Sequence, residues 1–139
     1  MPQDGDWYVL AADETSIPAA GQVLAALPKP PHTVFVEVAG PVDERPLPAV
    51  DASSVTWFHR GDDPSKAGSR LEEAFRAFEL PEGRGYFWIA CESGAMRRIR
   101  AHLLERGVTA DRMVTRGYWK LGASNHPDGD YGQDMTARG

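Results

Sequence analysis

The chain has 139 residues, 42% of them hydrophobic and 25% charged, which predicts one globular domain that folds without a disulfide or a metal ion. Its net charge of -5 argues against a nucleic-acid-binding surface, and its single cysteine excludes an internal disulfide. No segment is apolar enough to cross a membrane and no signal-peptide pattern is found at the amino terminus, so we expect a cytoplasmic location.

Short apolar runs alternate along the chain with segments of helical period. The predicted strands are residues 7–12, 33–39, 55–59, 86–90 and 113–120, and the predicted helices are residues 17–27, residues 65–79 and a segment that ends at Gly107. This alternation is typical of an α/β three-layer sandwich. We expect a five-stranded parallel sheet in the order 3-2-1-4-5, with helices on both faces.

The polar turn after the first predicted strand contains Asp13, Glu14 and Thr15. In a βαβ unit this turn is where a nucleotide's pyrophosphate is expected. The segment AADETS has no glycine and places two carboxylates beside the proposed phosphate position. Two interpretations stay open: the carboxylates cap the following helix, or Thr15 and its backbone neighbours line a ligand site.

The third predicted strand is followed by Arg60 and a charged loop. A 2′-phosphate on an adenosine ribose would pair with Arg60, helped by Lys66 or Arg70, and we favour this interpretation. Asp62 or Asp63 would instead accept a hydrogen bond from a free 2′-hydroxyl. The remaining alternative is that Arg60 is an exposed loop charge.

Residues 86–90 form an unbroken apolar and aromatic run, which is typical of a central strand buried on both faces. Residues 91–94, CESG, are predicted to form a turn into the next helix, which Gly107 ends. Ligands bind at such turns because they lie at the carboxyl end of a strand and the amino end of a helix. In the last strand, Gly117 is predicted to mark a bulge or a close approach.

Four segments resemble the siderophore-interacting protein family, which comprises flavin-dependent ferric-siderophore reductases of the ferredoxin-NADP reductase superfamily. They are WYVLAADETSIPAA at 7–20, VTWFHR at 55–60, WIACES at 88–93 with the Arg-rich helix after it, and GYWKLG at 117–122. They occur in the family's order and cover nearly all of the chain from 7 to 122. Ala12 departs from the Gly-Asp-Glu-Thr that is common in the family.

The resemblance implies binding of NADPH or NADH and of a ferric siderophore. The implied cofactor-binding residues are Asp13, Glu14, Thr15, Arg60, Cys91 and Glu92. The implied substrate-binding residues are Tyr118, Trp119 and Lys120, which match the family's Gly-Tyr-Trp-Arg segment with lysine in place of arginine. No catalytic side chain and no metal ligand set is predicted.

Several of these residues have a structural alternative. In ferredoxin-NADP reductases a cysteine matching Cys91 lies beside the nicotinamide, and a helix N-terminus would lower the pKa of its thiol. The alternative for Cys91 is an inert buried thiol. Glu92 is predicted to orient the cofactor or to cap the helix, and Trp119 to cover an aromatic ligand or to pack in the core. Lys120 would attract the negative charge of a ferric chelate.

The resemblance also implies where the FAD is held. In these reductases an amino-terminal β-barrel binds FAD, whereas this chain opens almost directly on the nucleotide domain. We therefore expect FAD from another domain or a flavoprotein partner, and no complete activity from this chain alone. A non-enzymatic module that binds a siderophore, another small anion or a protein is the alternative. Residues 1–122 are assigned to the domain and 123–139 to a flexible tail.

Overall fold

A computed structural model describes residues 1–28, 31–47 and 54–120 of the chain. The strands are β1 (Trp7–Asp13), β2 (His32–Val38), β3 (Val55–His59), β4 (Gly85–Glu92) and β5 (Met113–Trp119), and the helices are α1 (Ile17–Ala26), α2 (Ser69–Ala77) and α3 (Ser93–Glu105). All the strand pairs are parallel, in the order β3-β2-β1-β4-β5. The predicted fold class and strand order are confirmed.

The sheet has an apolar core on each face. Strands β1 and β4 are buried along their whole length, because their alternate side chains serve opposite cores. Phe87 and Ile89 pack with residues of α2 and α3 on one face. Tyr86 and Trp88 pack with residues of α1 on the other face. Strands β1 and β4 lie inside the sheet, between helices on both faces. Their carboxyl ends are therefore next to loops from both faces.

The predicted turn at residues 91–94 is wrong. Cys91 and Glu92 are the last two residues of β4, and α3 begins directly afterwards at Ser93. The strand continues because Cys91 still pairs with Gly117 of β5. The register shifts at this point, so that Glu92 pairs with Trp119, and the predicted irregularity at Gly117 is confirmed.

Two glycines set the ends of the helices on the α2 and α3 face. Helix α2 begins at Ser69 and not at residue 65, because Gly68 adopts a left-handed φ of 84° after a short 3-10 turn at Pro64–Lys66. The predicted end of α3 is confirmed at Gly107, which has a φ of 93°. The amides of Gly107 and Val108 donate to the carbonyls of Leu104 and Leu103, which is the Schellman arrangement.

Parts of two predicted loops fall outside the described residues. The predicted tail at 123–139 lies there, as do residues 48–53 of the predicted loop at 40–54, so the predictions for these residues stay predictions. The described part of that loop contains a short 3-10 turn at Pro41–Asp43. None of the helices in the described ranges combines the length and hydropathy needed to cross a bilayer.

Candidate functional site

The candidate site is the edge of the sheet where the strands end. Parallel pairing places the carboxyl ends of all five strands at this edge. Asp13 ends β1, Glu92 ends β4 and Trp119 ends β5, while Arg60 follows β3. The sequence predicted each of these residues as a ligand contact, and the fold brings them to one side of the domain.

Asp13 links the end of β1 to the end of β5 at this edge. The residue is only 3% exposed, and its Oδ1 accepts from the backbone amide of Thr15 at 2.9 Å and from the Thr15 hydroxyl. Its Oδ2 accepts from Nε1 of Trp119 at 2.8 Å, so the indole reaches from β5 past the intervening β4 to β1. The Asp13 carboxylate therefore orders Thr15 and Trp119, and the interpretation that it caps α1 is wrong.

Burial raises the pKa of Asp13, and the hydrogen bonds from Thr15 and Trp119 oppose that rise. With a folded-state pKa above the unfolded one, ionisation of Asp13 costs the folded state more than the unfolded state. That cost is absent below the unfolded pKa and is complete once the pH exceeds the folded-state pKa. The Trp119 bond offsets part of the cost, because it favours the ionised carboxylate.

The variant Trp119→Phe is therefore expected to lower the free energy of unfolding by about 1–2 kcal/mol at neutral pH. The loss should shrink as the pH falls and Asp13 becomes protonated in the folded state. Urea titrations of wild type and variant at neutral and acidic pH measure the difference. Trp57→Phe on β3 is the matched control, with a loss that does not depend on pH; a pH-independent loss for Trp119→Phe would contradict the assigned hydrogen bond.

Arg60 lies between two carboxylates. Its Nη2 is 2.8 Å from Oε1 of Glu14, and its Nη1 is 3.6 Å from Oε1 of Glu37. Only 13% of the Arg60 side chain is exposed, so the interpretation of Arg60 as an exposed loop charge is wrong. Oε2 of Glu14 accepts from the amide of Ala39 at 3.1 Å, and this carboxylate therefore ties β1 to the end of β2 and does not cap α1.

Glu37 is the residue of this edge that sequence reasoning missed. It is 1% exposed, and its carboxylate accepts from the amides of Gly68 at 2.7 Å and Arg70 at 2.9 Å, at the amino end of α2. A buried anion is stable there because the helix dipole and the amides compensate its charge. The available signal was the lone charged residue in the apolar run TVFVEVA at 33–39.

Glu92 and Cys91 have the structural roles that were left open as alternatives. Oε1 of Glu92 accepts from the amide of Ala95 at 2.9 Å, so Glu92 caps α3. Cys91 is fully buried in the core beneath α2 and α3. Burial raises the pKa of its thiol well above the usual range, and nearby carboxylates add to the rise. The predicted lowering of this pKa is wrong, because Cys91 lies within the sheet and not in an open turn.

The Cys91 thiol is expected to be unreactive towards Ellman's reagent in the native protein at neutral pH. Burial excludes the reagent, and the raised pKa leaves almost no thiolate to attack it. After unfolding in guanidinium chloride the same thiol should react completely. Ala101→Cys adds an exposed thiol on α3 as a positive control. Rapid labelling of Cys91 in the folded wild type would contradict the buried assignment.

The three predicted substrate-binding residues occupy different environments. Tyr118 is half-buried and packs against the core on the α1 face. Trp119 is half-buried at the edge, where Asp13 holds its ring nitrogen, and Lys120 is exposed. Tyr118 also lines a cavity of about 410 Å³ between α1 and β5. A ligand contact for any of the three stays a prediction.

A second cavity opens beside Glu14. Its volume is about 480 Å³, within the usual range for small-molecule sites. Its lining residues come from the start of α1 and from the loop after β2: Glu14, Ile17, Pro18, Gly21, Asp43, Arg45, Pro46 and Leu47. The walls are therefore largely apolar, with acidic groups and one arginine at the rim.

These residues fit a nicotinamide nucleotide at some positions only. The largely apolar cavity of about 480 Å³ could hold an aromatic base. Thr15 is exposed directly after β1, where a ligand bound at the strand ends would contact it. The carboxylates of Asp13 and Glu14 disfavour a pyrophosphate directly beside them. Among the described residues no group of three His, Cys, Asp or Glu side chains is arranged to hold a metal ion.

Comparisons with known proteins found a family model and relatives of known sequence. A family model described as siderophore-interacting protein matches residues 5–122. An uncharacterized protein of Mycobacterium tuberculosis and one of Mycobacterium bovis are each 38% identical to the chain over 130 residues, a match covering 84% of this chain and 45% of the relative.

Two solved structures resemble the fold closely. The chain matches a siderophore utilization protein from T. fusca with a TM-score of 0.80 and 37% identity, over 92% of this chain and 50% of that one. It matches a siderophore-interacting protein from Acinetobacter baumannii with a TM-score of 0.72 and 28% identity, over 85% of this chain and 47% of that one. The chain thus spans about half the length of these relatives.

Proposed function

Because this chain belongs to the siderophore-interacting protein family, we propose that it is the NAD(P)H-binding, siderophore-interacting domain of a flavin-dependent ferric-siderophore reductase. NADPH or NADH binds at the carboxyl edge of the sheet, and FAD comes from another domain or a flavoprotein partner. FAD accepts a hydride and passes on single electrons, which is chemistry that no side chain provides. The system would serve iron acquisition in the cytoplasm.

The observation that carries this proposal is that the exposed Thr15 and a cavity beside Glu14 lie together at the carboxyl edge. Open α/β sheets bind nucleotides outside the carboxyl ends of their strands, because helix N-termini and adaptable loops meet there. The described residues form one parallel sheet with helices, which is the architecture to which this rule applies.

Three side chains have defined tasks in the proposal. Thr15 donates its hydroxyl to Asp13, so its oxygen keeps the capacity to accept a hydrogen bond from a carboxamide such as that of nicotinamide. Trp119, held by Asp13, presents an aromatic surface at the same edge. Lys120 is exposed directly after β5 and supplies positive charge towards an anionic ferric chelate.

Anaerobic oxidation of NADPH and NADH, followed with a ferric siderophore present, tests the proposed function. The chain alone should show no turnover, and addition of a flavin-carrying reductase domain should start it. Turnover that requires only free FAD would mean that this chain builds a flavin site, and a separate FAD domain would then be unnecessary. A reductase domain that works equally well without this chain would contradict the proposal.

A non-enzymatic binding module is the second candidate. Two observations favour it. The charge of Arg60 is already compensated by Glu14 and Glu37, and the turn after β1 contains no glycine. Such a module would bind a siderophore, another small anion or a protein without binding a nicotinamide nucleotide. Saturable binding of a ferric siderophore together with no binding of NADH or NADPH would favour it.

A further inference from the structure

We propose that Glu14 is a specificity-determining residue that makes this edge select NADH over NADPH. The inference rests on the proposed nucleotide-binding function and adds the class of nucleotide that the site accepts. The two nucleotides differ only at the adenosine ribose, where NADPH carries a 2′-phosphate and NADH a free hydroxyl. The charged side chains around Arg60 determine whether the site binds the 2′-phosphate or the 2′-hydroxyl more tightly.

The cation that a 2′-phosphate needs is enclosed by carboxylates, and its Nη1, which has no hydrogen-bond partner among the described residues, is buried away from the surface. Glu14 contacts Nη2 of Arg60 at 2.8 Å, and Glu37 lies 3.6 Å from Nη1. The two carboxylates outweigh the single guanidinium, so the cluster is negative overall. A phosphate entering this cluster would meet a carboxylate before it met an unpaired positive charge, and like charges at close range disfavour binding.

Glu14 is the member of the cluster that a ligand reaches. The Glu37 side chain is 1% exposed and is held by the amides of Gly68 and Arg70, whereas 31% of the Glu14 side chain is exposed. Glu14 also lines the cavity of about 480 Å³. A nucleotide whose base occupies that cavity would therefore bring its ribose next to Glu14.

A ribose hydroxyl suits this carboxylate. Among the described residues, Oε1 of Glu14 faces Arg60 and Oε2 accepts from the amide of Ala39. Each carboxylate oxygen has two lone pairs, so each keeps one for an additional donor. The free 2′-hydroxyl of NADH is such a donor, and hydrogen bonds to a carboxylate are stronger than those between neutral groups.

The other cations near the cluster do not offset this selection. Arg45 lines the same cavity, but its Nη1 donates to the carbonyls of Val42 and Glu44, and Asp43 shares the cavity wall. Arg70 gives its backbone amide to Glu37, while its side chain is 52% exposed and its guanidinium lies 3.5 Å from Glu73, which is a weak surface pair. Like the exposed Lys66, it has no hydrogen bond or ion pair with Glu14 or Arg60 in the described part of the chain, so neither arginine adds a second guanidinium to the Glu14–Arg60 pair.

The test is titration calorimetry of the full chain with NADH and with NADPH, in wild type, Glu14→Gln and Glu44→Gln. Wild type should bind NADH at least about tenfold more tightly. Glu14→Gln removes one negative charge and releases Arg60, so the ratio of the two dissociation constants should move at least about tenfold towards NADPH. Glu44→Gln makes the same charge change beside His59 without touching Arg60, and should leave the ratio unchanged.

Thermal melting of the variants checks that each is folded before titration. Equal affinities in wild type, or a preference for NADPH, would overturn the inference and leave the proposed function standing. An equal shift in Glu44→Gln would also overturn it, because general charge and not Glu14 would then set the preference. Absence of binding by either nucleotide in wild type would overturn the proposed function itself.

Discussion

Replacing Gly68 with alanine is expected to lower the free energy of unfolding by about 2–5 kcal/mol. Gly68 has a φ of 84°, which strains any residue with a Cβ atom. An added Cβ would also lie 2.1 Å from the Cβ of Ala95, where helix α3 leaves no room for it. The loss is a large part of the about 5–15 kcal/mol that stabilises a typical domain.

Gly61→Ala is the matched control for this prediction. Gly61 has a similar φ of 78°, but no atom lies within 4 Å of an added Cβ. The Gly61→Ala variant should therefore lose only the free energy of unfolding that a left-handed φ costs an alanine, about 1–2 kcal/mol. Urea unfolding of both variants measures the difference. Equal losses would mean that the close approach of α2 to α3 at Ala95 is not a constraint in solution.

Replacing Glu37 with alanine is expected to cost about 3–5 kcal/mol, the range for removing one partner of a buried ion pair. The substitution leaves Arg60 with the outer carboxylate of Glu14 alone. It also leaves the amides of Gly68 and Arg70 without their acceptor at the start of α2. Buried polar groups without partners account for most of the expected loss.

Glu37→Gln should give an intermediate loss, because its amide oxygen still accepts from one of the two backbone amides. Glu73→Ala removes a carboxylate whose side chain is 68% exposed and that pairs with Arg70 at 3.5 Å. It should change the free energy of unfolding by less than about 0.5 kcal/mol. Chemical denaturation ranks the three variants, and a Glu37→Ala loss no larger than that of Glu73→Ala would contradict the buried role of Glu37.

The fold was predictable because its signals are local. Residues 86–90 are apolar on both faces, as a central strand requires, and Met96, Ile99 and Leu103 recur at helical spacing. Gly107 ended the last helix where the pattern placed the stop. The alternation of strands and helices, which is typical of a doubly wound sheet, then indicated the strand order. Both kinds of information depend on the residue sequence alone and on no distant contact.

The features that sequence reasoning missed depend on contacts between distant segments. The β4 strand continues through Cys91 because β5 pairs with it. Helix α2 begins late because Gly68 is left-handed, at a position where Ala95 of another helix leaves no room for a side chain. The site shows the same limit. Arg60 was identified as a ligand contact, but it pairs with Glu14, which follows β1, and with Glu37 of β2, and these distant contacts could not be inferred from spacing.

Calorimetric titration of the wild-type chain with NADH under anaerobic conditions is the most direct test of nucleotide binding at this edge. We expect saturable binding of one nucleotide per chain at submillimolar concentration. Addition of a ferric siderophore should then produce no oxidation of NADH until a flavin-carrying domain is supplied. Absence of saturable binding of both NADH and NADPH up to millimolar concentration would contradict the central claim that this edge of the sheet is a nicotinamide-nucleotide site.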